Sequence, residues 1–294
     1  SIRIHYADVE EAWGFNGLSA GSPDGLNEIF FEDFDGAETM PAVDENISEE
    51  IGGWTREFPG WPVDASGVPG FDSPDADGDG FGDADGVSEW AGWTFADIEF
   101  WQAADGQRRT EFTNAGGVVL VADPDEWDDT SHAPSAENGW DNTLVDTPTV
   151  DISGDDVVPN GMVLEFDSSW RPECDGNYRQ SARIWVSFDG GERRQILLWT
   201  SCDGPFFKDD NSTNEHIIVP LGNPEGASNV KITFEMFDAG NDWWWAIDNV
   251  ALKGSTEGAV FRSQEDASAI IGLGGGDSTP LPPGSLVAST DQTN

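Results

Sequence analysis

Between residues 28 and 253 the sequence is a succession of short β-branched and aromatic runs, each cut off by Gly, Pro, Asp or Asn, with no convincing amphipathic helix among them. A chain without helical periodicity can bury its apolar residues only by pairing strands, so this pattern limits the fold more than any other feature. The clearest runs are GVVLVAD (117–123), MVLEFDSSW (162–170), ARIWVSFD (182–189), RQILLWTS (194–201), HIIVPL (216–221), NVKITFEMFD (229–238) and WWAIDNVAL (244–252). Several alternate with period two. Ile184, Val186 and Phe188 fall on one face of their run and Arg183, Trp185 and Ser187 on the other, while Val230, Ile232, Phe234 and Met236 share a face. FDGGERR (188–194) reads as a hairpin turn, with Gly190 and Gly191 able to take positive φ. Seven or more antiparallel strands with polar loops predict an all-β fold, an antiparallel two-sheet jelly-roll sandwich.

Charge narrows the partners. The chain carries 13 Lys+Arg against 57 Asp+Glu, a formal net charge of −44. Nucleic acid needs clustered cations to neutralise its phosphates, so it is excluded as a partner, and an anionic membrane surface is disfavoured for the same reason. No apolar run is long enough for membrane insertion. The acids serve cation sites, since calcium wants several oxygen ligands, or solubility in a salty medium, and the two readings are compatible. The 14 Trp and 17 Phe supply enough apolar area for a core and separate this chain from an acidic disordered one.

The chain divides into three segments. Residues 1–28 are a polar leader, residues 29–253 the sandwich, and residues 254–294 a Gly/Pro/Ser/Thr-rich linker or docking tail. The start at Ser1 reads as a mature secreted chain or as an arbitrary boundary. Cys174 and Cys202 each come just after a strand-like run, with one further strand between them. An up-down-up meander puts both at the same end of the sheet, so a disulfide in an oxidising, extracellular or cell-surface setting is expected, against two unpaired thiols.

The sharpest motif is DSPDADGDGFGDADG (72–86). Asp75, Asp77 and Asp79 offer carboxylates at every second residue, Gly80 allows the tight turn, and Asp83 and Asp85 come next. The twelfth position of an EF-hand loop would be Gly86 rather than Glu. The run resembles the calcium repeats of thrombospondin type 3 and dockerin-like loops, which implies calcium as a cofactor. ADPDEWDD (122–129) reads as a solvated acidic loop around Trp127, with a ligand or cation rim as the alternative. Arg108, Arg109 and Glu111 read as strand residues making ion pairs.

The opening FFEDFDG, a later GWT and the closing WWWAIDNV resemble the ends of cleaved-adhesin and MAM-like jelly-roll modules, and are similar to calcium-stabilised carbohydrate-binding modules. The resemblance covers about residues 29–253. It implies a cation site joining the first strand to the last, at Glu32 or Asp33 and Asp248. Exposed Trp rings stack on sugars, and the candidates are Trp127 and Trp140 in polar loops and Trp244, which alternates away from Trp243 and Trp245.

No H-E-x-x-H, G-x-S-x-G or phosphate-cradling loop is present, the three His are scattered, and with 57 acids paired carboxylates arise by chance. The chain is expected not to be an enzyme but a calcium-binding adhesion or binding module for a glycan or a surface protein. The alternative is a self-assembling subunit of a surface filament or layer, partnered by copies of itself through its terminal segments.

Overall fold

The computed structural model describes residues 26–37, 45–46, 50–57, 92–104, 106–129, 142–154, 157–175, 178–239 and 243–255. In chain order these hold β1 (Asn27–Glu32), β2 (Glu45–Asn46), β3 (Glu50–Ile51), β4 (Trp54–Glu57), β5 (Trp93–Asp97), helix α1 (Ile98–Ala104), β6 (Val118–Ala122), helix α2 (Pro124–Asp129), β7 (Asn142–Asp146) and β8 (Val150–Asp151). They continue with β9 (Met162–Pro172), β10 (Cys174–Asp175), β11 (Tyr178–Arg179), β12 (Ser181–Phe188), β13 (Arg194–Thr200), β14 (Ser212–Pro220), β15 (Asn229–Phe237) and β16 (Trp243–Gly254).

The strands form two seven-stranded antiparallel sheets and a separate two-stranded ribbon of β10 and β11. Sheet A runs β14-β9-β16-β6-β5-β2 and sheet B runs β13-β12-β15-β7-β4-β3. β1 adds to β16, and β8 adds to β15. This is the expected all-β sandwich, and the seven runs read from the sequence are β6, β9, β12, β13, β14, β15 and β16. The expected alternation holds where it was clearest. Ile184 and Val186 are buried while Arg183 and Trp185 are half-buried, and Val230, Ile232, Phe234 and Met236 all point into the core.

Aromatic rings fill the space between the sheets. Trp245 of sheet A lies 5.3 Å from Trp93, 5.5 Å from Trp199 and 5.9 Å from Phe234, centroid to centroid, so rings from both sheets meet on one indole. Edge-to-face pairs of this kind add to the area term, so a few large residues hold what many aliphatics would otherwise have to. The β12–β13 hairpin turns on Asp189 (φ 52°) and Gly190 (φ 70°), with Gly191 donating to the Phe188 carbonyl at 2.8 Å. Two successive left-handed residues match the strands' own twist. The second is Gly190, but the first is Asp189 rather than Gly191.

β16 changes partner partway along its length. Its first half pairs β6 through Trp245–Ile247, and its second half pairs β1 through Val250–Gly254. Asp248 lies at the gap, where the pairing with β9 shifts register and Asn249 takes φ 52°.

Candidate functional site

The outer face of sheet B is built from the outward-pointing residues of β12 and β15. The pairings Arg183–Glu235, Trp185–Thr233 and Ser187–Lys231 stack as successive rows. From the Arg183 row to the Lys231 row is four residues, about 13 Å at the usual strand rise. Trp185 occupies the middle, half-buried.

Carboxylates underlie this face. Asp146, two strands over on β7, accepts from Lys231 Nζ at 2.9 Å, from Thr233 Oγ1 at 2.5 Å and from Arg193 Nη2 at 3.0 and 3.1 Å. Arg193 stands in the hairpin before β13, so its arm crosses the face to reach Asp146. Glu235 accepts from Arg183 Nη2 at 2.8 Å and from Trp185 Nε1 at 2.5 Å. The Arg183 guanidinium also lies 3.8 Å from the Phe237 ring centroid. The side chains of Asp146 and Glu235 are 4% and 3% exposed, whereas those of Arg183, Arg193 and Lys231 are 26%, 34% and 35% exposed. The acids are the floor and the cations are the surface.

The outer face of sheet A is different at its β5-β6-β16 end, where α1, a 3-10 turn (Arg109–Glu111) and α2 cover it. Arg109 is wholly buried there. It lies 3.2 Å from Asp123 and 3.2 Å from Asp125, and it also pairs with Glu126. Trp101 Nε1 donates to Asp123 at 2.7 Å. Burial works against the guanidinium, but the three carboxylates outweigh it and hold its pKa above the ordinary value. Asp123 also caps α2, accepting from Glu126 N at 3.2 Å, with Pro124 in the first helical position.

Several sequence expectations are corrected by this region. Trp244 is 0% exposed, stacked edge-on against Trp101 at 5.6 Å and beneath Arg109 at 5.1 Å, so it offers no face to a sugar. It alternates away from Trp245 as expected, but lies under Trp101 and Arg109 rather than facing solvent. ADPDEWDD is not a solvated loop, since Asp123, Asp125 and Glu126 are buried around Arg109. Arg108, Arg109 and Glu111 make ion pairs as expected, Arg108 with Glu111 and Arg109 with the three buried acids, from a 3-10 turn and its N-cap rather than a strand. Of Trp127 only the backbone is described, within α2, and Trp140 lies outside the described residues.

The gap at Asp248 gathers acids from three segments. Asp248 is 1% exposed and pairs across the strand with Asp167. It accepts from Gly116 N at 3.0 Å and from Asn249 N at 2.7 Å. Burial pushes its carboxyl up to about 7, with Asp167 and Asp35 pushing the same way. Asp35 is locked in place by accepting from Val118 N at 3.1 Å, and Gly117 (φ +60°) must be glycine because a Cβ there would meet Asp35 Oδ1 at 1.7 Å.

Glu32 and Asp33 instead cap their own turn, accepting from Phe34 N and Asp35 N. The turn thus sends Asp35, which sequence reasoning passed over, toward Asp248. Beyond Asp167, His216 bonds Asp167 at 2.9 Å and lies 3.5 Å from Glu165, which Lys253 also contacts at 2.7 Å. Burial disfavours the imidazolium, but the two carboxylates prevail and raise His216 to about 9. Among the described residues no group of three or more His, Cys, Asp or Glu side chains converges as a metal-ligand set. Asp75, Asp77, Asp79, Asp83 and Asp85 lie outside the described residues.

Cys174 and Cys202 form the expected disulfide, with their Cα atoms 5.3 Å apart. Among the described residues no helix is long and apolar enough to cross a membrane.

No protein-family model matches the chain, and no curated protein matches it. Solved structures with a similar fold include the K1 cleaved adhesin domain of Lys-gingipain from Porphyromonas gingivalis W83. The identity is 14%, covering 77% of this chain and 98% of that one, with a TM-score of 0.41. The CBM22-1 xylan-binding domain from Paenibacillus barcinonensis is similar at 9% identity, 81% and 100% coverage and a TM-score of 0.34. A cyclase from Fischerella sp. is similar at 12% identity, 82% and 92% coverage and a TM-score of 0.38. A cleaved adhesin domain and a carbohydrate-binding module are thus among the structures this chain is similar to. At such scores the architecture rests on the strand pairing, and the function rests on the chemistry of the face itself.

Proposed function

We propose that the protein is an extracellular, non-catalytic binding module whose outer sheet B face takes a glycan. The observation that carries this is Trp185, a half-buried indole in the middle of a β-sheet face, with the Arg183 guanidinium over its ring at 5.1 Å and Arg193, Lys231, Asp146, Glu235 and Thr233 on the same face. An aromatic platform with fixed polar groups around it is what sugar recognition requires: stacking supplies affinity and the polar ring fixes orientation. The platform stands on rigid strands, and its polar side chains hold one another in place, so little ordering remains to be done on binding. The disulfide and the acidic composition support an extracellular setting. The test is affinity electrophoresis against a panel of polysaccharides. Trp185→Ala should weaken the best ligand at least tenfold with the melting temperature nearly unchanged. Equal retention of both proteins would sink the assignment.

Calcium belongs to the same reading as a structural cofactor. What supports this reading is Asp248, a buried carboxyl whose pKa burial, Asp167 and Asp35 all push up. Asp248 and Asp35 would hold the ion, which would tie the turn after β1 to the last strand. The Asp75–Asp85 run is proposed as a second site on its sequence alone.

A further inference from the structure

We propose that the corner where β9 leaves sheet A is an anion-binding site, in which Arg171 takes the carboxylate of a small organic acid in the unused fork of its guanidinium. The site lies on the sheet A side of the molecule and does not depend on the glycan reading of the sheet B face.

Among the described residues, Arg108, Arg109, Arg183, Lys208, Lys231 and Lys253 each pair with a carboxylate. Arg171 pairs with none, in a chain that has 57 Asp+Glu to offer. Its contacts are few. Nη1 donates to the Gln107 carbonyl, and the guanidinium lies over the Trp243 ring at 3.7 Å and 5.4 Å from the centroid of Trp244. These contacts hold the group in place and leave its Nε–Nη2 edge, where Nε is buried and donates to nothing. That edge is a fork that grips a carboxylate through two parallel hydrogen bonds. A buried N–H without a partner is a cost that folded proteins rarely carry without a reason.

Arg108 adds to the cost. It takes φ 79°, in the left-handed region that residues other than glycine avoid. Its guanidinium is fastened to Glu111 through Nε and Nη2 at 2.9 and 2.8 Å and to Asn211 Oδ1 at 3.0 Å. From there its charge acts on Arg171. Burial first, and then Arg108, hold the Arg171 pKa below its ordinary value, and Asp210 and Asp125 act the other way without making up the difference. Asp125 is engaged by Arg109, and Asp210 accepts from Asn211 Nδ2. The fold therefore keeps two like charges near each other, one of them without a counter-ion, on a strained turn. Arrangements that cost stability in this way are kept where a ligand relieves them. A carboxylate in the Arg171 fork supplies the missing counter-charge and satisfies Nε at once.

The surroundings limit the ligand. Glu111, Asp209 and Asp210 all act on Arg108, and the whole chain carries −44. A polymer of closely spaced negative charges is repelled by that field, and a small acid with one carboxylate is repelled least. An acidic sugar and an acylated amino acid both present that group.

The test is isothermal titration calorimetry at fixed ionic strength with EDTA, using galacturonate, N-acetylalanine, neutral galactose and sulfate. At least one of the two carboxylates should bind saturably to a single site, about tenfold or more tightly than galactose or sulfate, and the tighter of the two names the source. Arg171→Lys keeps the charge but loses the fork, and should weaken binding about tenfold or more. Arg108→Gln should weaken it by a smaller factor. No saturable binding of either carboxylate overturns the proposal, and so does galactose binding as tightly. Sulfate binding as tightly overturns the carboxylate assignment. Affinity unchanged in Arg171→Lys places the anion elsewhere and overturns the site. Should Arg171→Lys fold poorly, Arg108→Gln decides, since unchanged affinity in that variant also overturns it.

Discussion

On the outer face of sheet A, Arg109 is sealed under Trp101 and Trp244 and ringed by Asp123, Asp125 and Glu126. On the outer face of sheet B, Asp146 and Glu235 lie underneath while Arg183, Arg193, Lys231 and Trp185 reach the surface. Indoles, guanidinium groups and carboxylates build both faces, with opposite layering. Where the cation is inside, nothing is left to offer a ligand and the cluster fastens α1 and α2 to the sheet. Where the cations are outside, the same chemistry is presented to solvent. Ion pairs and exposed tryptophans in a sequence therefore say little about binding until their depth is known.

The sharpest way to break this contrast is Arg109→Leu. It strands three buried carboxylates, and by the usual cost of removing one partner of a buried pair it should lose about 3–5 kcal/mol in denaturant titration. A loss below about 1 kcal/mol would mean the cluster is not the fastening it is taken for. Next in size is the disulfide. Cys174→Ser with Cys202→Ser opens a link spanning 28 residues, worth about 3.5 kcal/mol by chain entropy.

A third effect depends on pH. His216 rises from 6.5 to about 9 on folding, against Asp167 and Glu165, the latter shared with Lys253. A raised folded pKa means its contribution is fully present below about pH 6.5 and is lost as pH climbs through 9. For a side chain one quarter exposed the amount is on the order of 2 kcal/mol after allowing for solvent. Stability of the wild type should fall across that window, and His216→Gln should flatten the slope. The smallest stability change belongs to Trp185→Ala, about 1 kcal/mol or less, beside about 3–5 kcal/mol for the buried Trp244→Ala. Their order should reverse when glycan binding is measured. For calcium, EDTA should lower the melting temperature, and Asp248→Asn or Asp77→Ala with Asp79→Ala should each remove part of that drop.

Strand periodicity made the second half of the chain legible. β12 and β15 showed their inner and outer faces in the sequence because each keeps strict alternation with one face dry. The same alternation put Trp185 on the outer face of its strand, although it was not taken up as a platform. Two things were hidden. Period two shows that Trp244 leaves the core but not that α1 and the turn holding Arg109 come back over it, because that depends on contacts between segments far apart in sequence. Asp35 was passed over for Glu32 and Asp33 because the choice among three neighbouring acids is made by a turn, fixed by a hydrogen bond to Val118 and by the space at Gly117.

The most direct test of the sheet B face is an NMR titration of the ¹⁵N-labelled indole groups, with the Trp185 signal assigned by its absence in Trp185→Phe. The account predicts that this signal shifts progressively as a bound oligosaccharide is added, while the buried Trp244 signal stays still. A glycan that binds without moving Trp185 would contradict it and place recognition elsewhere on the molecule.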